Sequence, residues 1–302
     1  MNERWLVTHE KKKITRDIIL TRLRTEDVQR IPQALAAYDQ QLISKTGSTL
    51  KGIACHALSL PGTPFTEIVT SSKVCVLPMT CGQGVIGCFC DAVSSIIDHL
   101  GFSSFVARQS DAAGMAEAFE KKADIIVLAD DDRFVAINVH TRYVSDNAEM
   151  AARGFVAGLD LMGNGLTGKN VLVIGCGDVG CHTARTLVTM GVRVSVYDID
   201  PHRAQALQRE ISDEMIVTIQ MDNTWHASPG KYPYIIDATP STDVIDAALI
   251  TRDTTIAIPG VPCGLSPDAR KQLSHRCLHD PLQIGVATMV IDAANHRDKA
   301  CP

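Results

Sequence analysis

The sequence predicts an α/β fold in which a smaller amino-terminal α/β domain precedes a doubly wound parallel sheet. The chain of 302 residues is longer than a typical single domain. Short apolar runs alternate with segments of helical periodicity, as in folds whose parallel strands are joined by helices. One apolar run, over residues 171–174, leads into the glycine pattern of a dinucleotide-binding turn. We therefore expect a substrate-binding domain over 1–144, and a linker helix, nucleotide-binding domain and C-terminal helix over 145–302.

Composition and charge argue against several classes of function. The formal net charge is −5 and no basic face is evident, so no nucleic-acid partner is expected. The longest apolar stretches are strand-sized or interrupted, and no apolar segment of a signal peptide follows the lysines at 11–13. We therefore expect no membrane span and a cytoplasmic protein whose ten cysteines are reduced thiols. Cys81, Cys88 and Cys90 lack the paired spacing of zinc ligands, so no metal site is expected.

The amino-terminal half begins with a polar segment over 1–13, which we interpret as a flexible tail. Apolar residues then recur at helical spacing over 14–43 with an interruption near Pro32, which predicts two helices. Thr46 and Gly47 end the second helix. A loop is expected over 60–64, and residues 73–77 read as the first strand.

Two G-x-G-x-x-G patterns compete for the cofactor. The first contains Gly82, Gly84 and Gly87, and the strand after it ends in Arg108. After the second pattern, the next strand ends in Asp198, where a carboxylate can accept a hydrogen bond from a ribose 2′-hydroxyl and repel a 2′-phosphate. We therefore assign NAD to the second pattern, while the nearby Arg203 leaves NADP open. The first pattern is interpreted as a helix start that could hold an anion, or as a plain glycine-rich turn.

A run of acids follows the third predicted strand, over 125–128. Asp130, Asp131 and Asp132 stand at its carboxyl end, where ligands bind in open α/β sheets. A short charged run is equally typical of a solvated turn, and both interpretations stay open on periodicity alone. An extended segment over 134–140 and a long helix over 145–162, capped by Ser145 or Asp146, lead into the second domain.

In the nucleotide-binding half, each glycine of the second pattern has a separate role. Gly175 permits the tight turn, Gly177 lets the backbone approach a pyrophosphate, and Gly180 lets helix and strand pack closely. Further strands are expected over 192–197, 215–219, 234–237, 254–258 and 276–279, with helices over 201–210 and 283–295. The residues expected to contact the cofactor are Gly175, Cys176, Gly177, Asp178, Val179, Gly180, Asp198, Ala238, Thr239, Pro240, Pro259 and Gly260.

Several strings in order resemble one family, the pyrrolysine biosynthesis dehydrogenases known as PylD. The similarity runs from about residue 20 to residue 289. The matching strings are Thr46-Gly47, Lys51-Gly52-Ile53, the segment 78–86, Ala129-Asp130-Asp131, the glycine turn with Tyr197-Asp198, Ala238-Thr239-Pro240, Pro259-Gly260-Val261-Pro262 and the segment 281–285. Only the glycine turn is generic, because it occurs in many dinucleotide-binding proteins.

The resemblance implies an NAD-dependent oxidation of L-lysine-Nε-(3R)-methyl-D-ornithine, with ammonia release, followed by ring closure and water loss to pyrrolysine. It also implies that Cys81 and Asp130 lie in the substrate cleft. Members of the family can carry serine at the first position, and a thiol is a weaker hydrogen-bonding group. We expect Asp130 to orient the substrate ammonium, with Asp131 sharing that role, and Thr80, Gly82 and Gly84 to help hold the substrate carboxylate.

Two other functions fit the same cofactor turn. One is an NAD-dependent dehydrogenase of another small amino or hydroxy acid, although residues 259–264 offer neither the arginine nor the histidine–acid pair of a hydroxy-acid enzyme. The other is a sensor that binds NAD without turnover. Among the histidines, His279 at a strand end is a better catalytic candidate than His182. A small-molecule substrate is the expected partner, and the sequence leaves homo-oligomerisation open.

Overall fold

The computed structural model describes residues 23–60, 72–215 and 219–296. The expected tail over 1–13, the start of the first predicted helix and most of the predicted loop over 60–64 lie outside these ranges. Within the described residues, no helix is both long and apolar enough to span a membrane.

The first half of the described chain contains six helices and a mixed sheet of five strands. The helices are α1 (Thr25–Val28), α2 (Ile31–Thr46), α3 (Leu50–Ala57), α4 (Phe89–His99), α5 (Asp111–Glu120) and α6 (Asn147–Met162). The strands are β1 (Lys73–Val76), β2 (Ser103–Val106), β3 (Ile125–Ala129), β4 (Phe134–Asn138) and β5 (Val144–Asp146), in the order β2-β1-β3-β4-β5. The first three strands are parallel, whereas β4 and β5 are antiparallel because the loop over 130–133 is too short for a helical crossover.

Local signals in the sequence set several helix ends. Pro32 stands in the first turn of α2, where its missing N–H costs no hydrogen bond, and Gly47 ends that helix with a φ of 72°. The carboxylate of Asp146 accepts a hydrogen bond from the backbone N–H of Ala148 and caps α6, so Asp146 rather than Ser145 is the cap.

The second half of the described chain forms a sheet of six parallel strands in the order β8-β7-β6-β9-β10-β11. The strands are β6 (Asn170–Ile174), β7 (Arg193–Tyr197), β8 (Gln220–Met221), β9 (Tyr234–Asp237), β10 (Thr255–Ile258) and β11 (Cys277–His279). The helices are α7 (Asp178–Thr189), α8 (Pro201–Met215), α9 (Pro267–Leu273) and α10 (Gln283–Asn295). The strand order reverses between β6 and β9, and ligands bind at such a switch point at the carboxyl ends of the strands. This is the predicted doubly wound sheet.

The predicted strand over 215–219 lies mostly outside the described residues, which omit 216–218. On either side of this gap, α8 is longer than the predicted helix over 201–210 and continues to Met215, and the short strand β8 is Gln220–Met221.

The last helix, α10, packs on the first half of the chain. Its residues from Gln283 to Ala294 are buried on every side, as expected for a helix inside a core. The carboxylate of Asp292 accepts hydrogen bonds from the Tyr143 hydroxyl at 3.0 Å and the Ser145 hydroxyl at 2.7 Å. The amide of Asn138 donates to the carbonyl of Ala293 at 2.9 Å. Through α10, the two sheets therefore share part of one core.

Candidate functional site

The turn after β6 has the geometry of a dinucleotide-binding loop. Gly175 has a φ of 92°, which side chains disfavour. A Cβ on Gly180 would lie 1.9 Å from the carbonyl oxygen of Gly175, so only glycine lets α7 pack this closely. A Cβ on Gly177 would meet no atom of the described residues within 4 Å, and Gly177 is the N-cap of α7 and makes no side-chain cap. This open space at a helix N-terminus fits a pyrophosphate.

Asp198, at the end of β7, is fixed against this turn. The residue is 8% exposed. Its Oδ2 accepts a hydrogen bond from the backbone N–H of Cys176 at 2.7 Å, and its Oδ1 accepts one from the backbone N–H of Asp200 at 2.9 Å. Each carboxylate oxygen has a further lone pair, so Asp198 can still accept a hydrogen bond from a ribose hydroxyl. Arg203 stands in the first turn of α8 and lies 4.0 Å from Asp200.

The turns after β9 and β10 lie directly beside the glycine turn. The backbone N–H of Ala238 donates to the carbonyl of Ile174, the last residue of β6, at 2.8 Å. A Cβ on Gly175 would lie 3.0 Å from Cγ2 of Thr239, and one on Gly260 would lie 2.1 Å from the Thr239 carbonyl oxygen. The predicted cofactor residues on three strands are therefore neighbours in space.

Asp237, the last residue of β9, lies beneath these turns. It is fully buried, and its Oδ1 accepts hydrogen bonds from the backbone N–H and the hydroxyl of Thr239, at 3.0 and 2.7 Å. Its Oδ2 has no hydrogen-bond partner among the described residues. Burial raises the pKa of Asp237 to about 6. The signal in the sequence was an acid that ends an otherwise apolar, buried strand.

In the first half, the glycine-rich loop packs on the acidic turn. A Cβ on Gly82 would lie 2.1 Å from the backbone carbon of Asp130 and 2.3 Å from the backbone nitrogen of Asp131. The structure therefore brings together Gly82 and the acids, which are far apart in sequence.

The helix start predicted at this loop is wrong. Gly82–Val85 is a single 3₁₀ turn, and α4 begins only at Phe89, after Cys88 with a φ of 65°. The left-handed φ of 55° at Gly82 and the extended backbone at Ile86 prevent a continuous helix from starting at the first glycine. The loop therefore does not offer the helix N-terminus that was expected to hold an anion.

Asp130 closes a turn, as one of the two interpretations of the acidic run expects, and its contact with a ligand stays a prediction. Its Oδ1 accepts hydrogen bonds from the backbone N–H groups of Asp132 and Arg133, both at 2.8 Å, and so closes the turn between β3 and β4. Its Oδ2 has no hydrogen bond to the described residues, so it is available to a ligand. The neighbouring Asp131 is exposed.

Thr80 and Cys81 precede the glycine-rich loop. The Thr80 hydroxyl donates to Oδ2 of Asp111 at 2.6 Å, and its backbone N–H donates to Oδ1 at 3.0 Å; these bonds lower the pKa of Asp111. Because its proton is committed to Asp111, the Thr80 hydroxyl can accept a hydrogen bond from a ligand but does not donate one to a carboxylate. Cys81 is exposed.

Two family models match consecutive parts of the chain. The N-terminal domain of the pyrrolysine biosynthesis protein PylD matches residues 27–145, and the C-terminal domain of alanine dehydrogenase/PNT matches residues 146–263. The pyrrolysine synthase of Methanosarcina acetivorans is 32% identical over 276 residues, which cover 89% of this chain and 97% of that protein. This chain belongs to the pyrrolysine synthase (PylD) family. The pyrrolysine synthase of Methanosarcina barkeri is also 32% identical, over 89% of this chain and 96% of its own length.

Solved structures show that this member of the PylD family shares its fold with known dehydrogenases. The quinate dehydrogenase of Corynebacterium glutamicum in complex with NAD superposes with a TM-score of 0.52, at 16% identity over 74% of this chain and 93% of that chain. A shikimate dehydrogenase in complex with NADP⁺ superposes with a TM-score of 0.50, at 13% identity over 74% of this chain and 94% of that chain. At this identity the likeness concerns the fold alone.

Proposed function

We propose that this protein catalyses the last step of pyrrolysine biosynthesis. The substrate would be L-lysine-Nε-(3R)-methyl-D-ornithine, whose ornithine-derived terminal amine is oxidised with release of ammonia. The resulting semialdehyde then closes on the neighbouring α-amine and loses water to form the pyrroline ring. Membership of the PylD family supports this choice of substrate. The observation that carries the proposal is the close approach of Gly82 to the backbone of Asp130 and Asp131, which sets the acidic turn against the glycine-rich loop.

The residues of the second glycine turn would hold NAD. The backbone of Gly175, Cys176, Gly177, Asp178, Val179 and Gly180 would bind the pyrophosphate. Asp198 would bind the adenosine ribose, and its charge would disfavour a 2′-phosphate. Ala238, Thr239, Pro240, Pro259 and Gly260 would line the remainder of the cofactor. When bound, NAD⁺ supplies a hydride acceptor for the carbon that carries the amine.

Asp130 would orient the substrate ammonium through its unpaired Oδ2. A carboxylate attracts an ammonium group, but the same attraction raises the pKa of the amine and opposes its deprotonation. We therefore assign Asp130 an orienting role, which Asp131 would share, rather than the role of a strong base. Thr80, Cys81, Gly82 and Gly84 lie on the loop next to these acids and would contact the rest of the substrate. Holding the reacting carbon in one position supplies much of the rate enhancement in such reactions.

The experiment that tests the proposal is an oxidation assay with purified protein, NAD and the lysine–methylornithine isopeptide. We expect reduced nicotinamide with this substrate and not with lysine, ornithine or small hydroxy acids. Reduction with one of the other acids would instead identify a different dehydrogenase. NAD binding without reduction of any substrate would identify a sensor.

Asp130→Asn should retain NAD binding and lose most turnover, because the amide cannot hold an ammonium ion by charge. The amide oxygen can still accept the two backbone hydrogen bonds that close the turn. Calorimetry with NAD and the oxidation assay measure the two effects separately. Asp268→Asn, on the exposed side of α9, is the matched control. Oxidation by Asp130→Asn at the parent rate would show that Asp130 has no part in the reaction.

A further inference from the structure

We propose that Nε2 of His279 accepts the proton that the substrate ammonium loses before it is oxidised. The inference rests on the proposed amine oxidation. In the step, one N–H bond of the ammonium breaks and its proton forms a bond to Nε2, which leaves a neutral amine and an imidazolium. The adjacent carbon would then give up a hydride to bound NAD⁺, which leaves an iminium ion, and water would convert the iminium ion to the aldehyde and ammonium.

The hydrogen bond at the other ring nitrogen fixes the tautomer of His279. Nδ1 lies 2.9 Å from the carbonyl oxygen of Ile258. A carbonyl oxygen can only accept, so Nδ1 must carry the proton, and Nε2 of the neutral ring then has a free lone pair. Within the described part of the chain, Nε2 has no hydrogen-bond partner.

His279 stands on the side of the switch point that faces away from Asp198. It ends β11 and pairs in register with Ile258, the residue immediately before Pro259 and Gly260. With the ribose at β7 and the pyrophosphate after β6, the reactive end of a dinucleotide would extend toward the ends of β9, β10 and β11.

Groups from the first half of the chain approach the same end of β11. The Tyr38 hydroxyl of α2 donates to Asp280, the residue after His279, at 2.5 Å. Asp27 of α1 lies close enough to affect the charge on His279. The same helix α1 borders the glycine-rich loop, since a Cβ on Gly87 would lie 3.4 Å from the hydroxyl of Thr25. His279 is therefore on the side of the second sheet that α1 and α2 border.

The surroundings of His279 suit a base at neutral pH. Burial lowers the pKa of His279, Asp280 and Asp27 oppose this effect, and Arg270 of α9 adds to it. The ring is therefore neutral at pH 7. A neutral imidazole can take a proton from an ammonium group, whereas a carboxylate beside that group holds the proton in place.

His279→Asn tests the assignment. The asparagine amide can replace Nδ1–H as the donor to Ile258 but has no atom at the place of Nε2. At pH 7 we expect kcat/KM to fall roughly 100- to 10,000-fold, the usual contribution of a general base. The deficit should shrink as pH rises toward the pKa of the substrate amine, because the free amine needs no base. His275→Asn, an exposed residue in the turn before β11, is the matched control.

Two further measurements keep the assignment testable if His279→Asn does not fold. The kcat/KM of the parent enzyme should fall as pH decreases through the lowered pKa of His279, since the protonated ring cannot accept a proton. Nitrogen NMR of histidine-labelled protein without cofactor should show His279, assigned with His279→Gln, as the Nδ1–H tautomer.

Three results would overturn the assignment while leaving the amine oxidation intact. The loss of kcat/KM in His279→Asn could be the same at every pH, His279→Asn could be as active as the parent enzyme, or NMR could show the Nε2–H tautomer of His279. If the parent enzyme oxidises no amine at all, the proposed function itself fails. The oxidation assay on the parent enzyme therefore separates the two failures.

Discussion

At the scale of single residues, Asp198 combines two tasks that separate variants can distinguish. It holds the glycine turn through Cys176, and it would select NAD through the ribose. Asp198→Ala removes both contacts, and a lost hydrogen bond to a charged group costs about 1.5–3 kcal/mol. We therefore expect NAD affinity to fall roughly 10- to 100-fold and the preference for NAD over NADP to narrow.

Titration calorimetry with both dinucleotides measures this effect. Asp198→Asn keeps an oxygen for the Cys176 N–H but removes the charge. It should therefore narrow the preference for NAD over NADP, and it should weaken NAD binding less than Asp198→Ala does. An unchanged preference in both variants would refute the assignment of the ribose to Asp198.

Asp237 makes stability depend on pH in the opposite sense to a paired surface carboxylate. Its pKa is raised from its ordinary value to about 6, so the folded state binds a proton more tightly than the unfolded chain. Its contribution is therefore most favourable at low pH and is lost as pH rises toward 6. A shift of this size corresponds to roughly 3 kcal/mol. Asp237→Asn keeps the acceptor for Thr239 without the buried charge, so it should be more stable than the parent above pH 6.

Urea unfolding at pH 4.5 and pH 8 measures the difference between parent and variant. The advantage of Asp237→Asn should be small at the lower pH. Asp243→Asn, the same substitution at an exposed position after the same strand, is the matched control. An equal advantage at both pH values would contradict the account.

At the scale of the element, the contact between α6 and α10 depends on a glycine. A Cβ on Gly154 would lie 2.5 Å from Cγ2 of Ile284 and 2.7 Å from Oγ1 of Thr288. Gly154→Ala would force the two buried helices apart, and overpacking of this kind costs about 1–3 kcal/mol. Chemical denaturation measures the loss.

Gly52→Ala is the control for this substitution. Gly52 also lies in a helix, but the atom nearest to its Cβ is the hydroxyl of Ser48, at the end of a side chain that can rotate away. Here the better helix propensity of alanine should leave stability unchanged or raised by up to about 1 kcal/mol. If both variants lost the same free energy of unfolding, close helix packing would not be the reason that glycine is required at position 154.

Elements were predictable from the sequence where a local signal fixes the backbone. Gly47, Pro32 and Gly175 each act within a few residues of their own position, and the structure has the expected turn or helix end at all three. The direction of β4 was not predictable, because an extended segment reads the same whether it pairs parallel or antiparallel. The start of α4 at Phe89 was missed because three glycines at dinucleotide spacing resemble a strand-to-helix turn.

The candidate site likewise contains some features that local signals predict and others that depend on tertiary contacts. The shape of the glycine turn and the place of Asp198 beside it were predictable because both follow from spacing along one strand–turn–helix unit. The contact between Gly82 and Asp130, the open Oδ2 of Asp130 and the commitment of Thr80 to Asp111 are tertiary facts, since each joins residues that are distant in sequence. The burial of Asp237 is also a tertiary fact, because it depends on Gly264. A Cβ on Gly264 would lie 1.8 Å from Oδ2 of Asp237.

At the scale of the whole molecule, segments that are distant in sequence pack against each other and link the two halves. Helix α10 comes last, yet it carries the hydrogen bonds from Asn138, Tyr143 and Ser145 of the first half. Helix α6 packs on α10 and on α7, the helix of the glycine turn. The short bond from Tyr38 to Asp280 adds a third link between the halves. We therefore expect the described parts of both halves to unfold as one cooperative unit.

Binding of NAD tests this coupling, because a ligand of the folded state stabilises only what unfolds together with its site. At a concentration 100 times its Kd, NAD should add about 2.7 kcal/mol, which raises the melting temperature by several degrees. The fluorescence of Trp225, buried in the second half, reports on that sheet, and hydrogen exchange of β3 reports on the first. If α10 couples the halves, NAD should slow exchange in β3 as much as it shifts the transition seen by Trp225. Slower exchange confined to β6–β11, or two transitions of which only one responds to NAD, would show that the halves unfold separately.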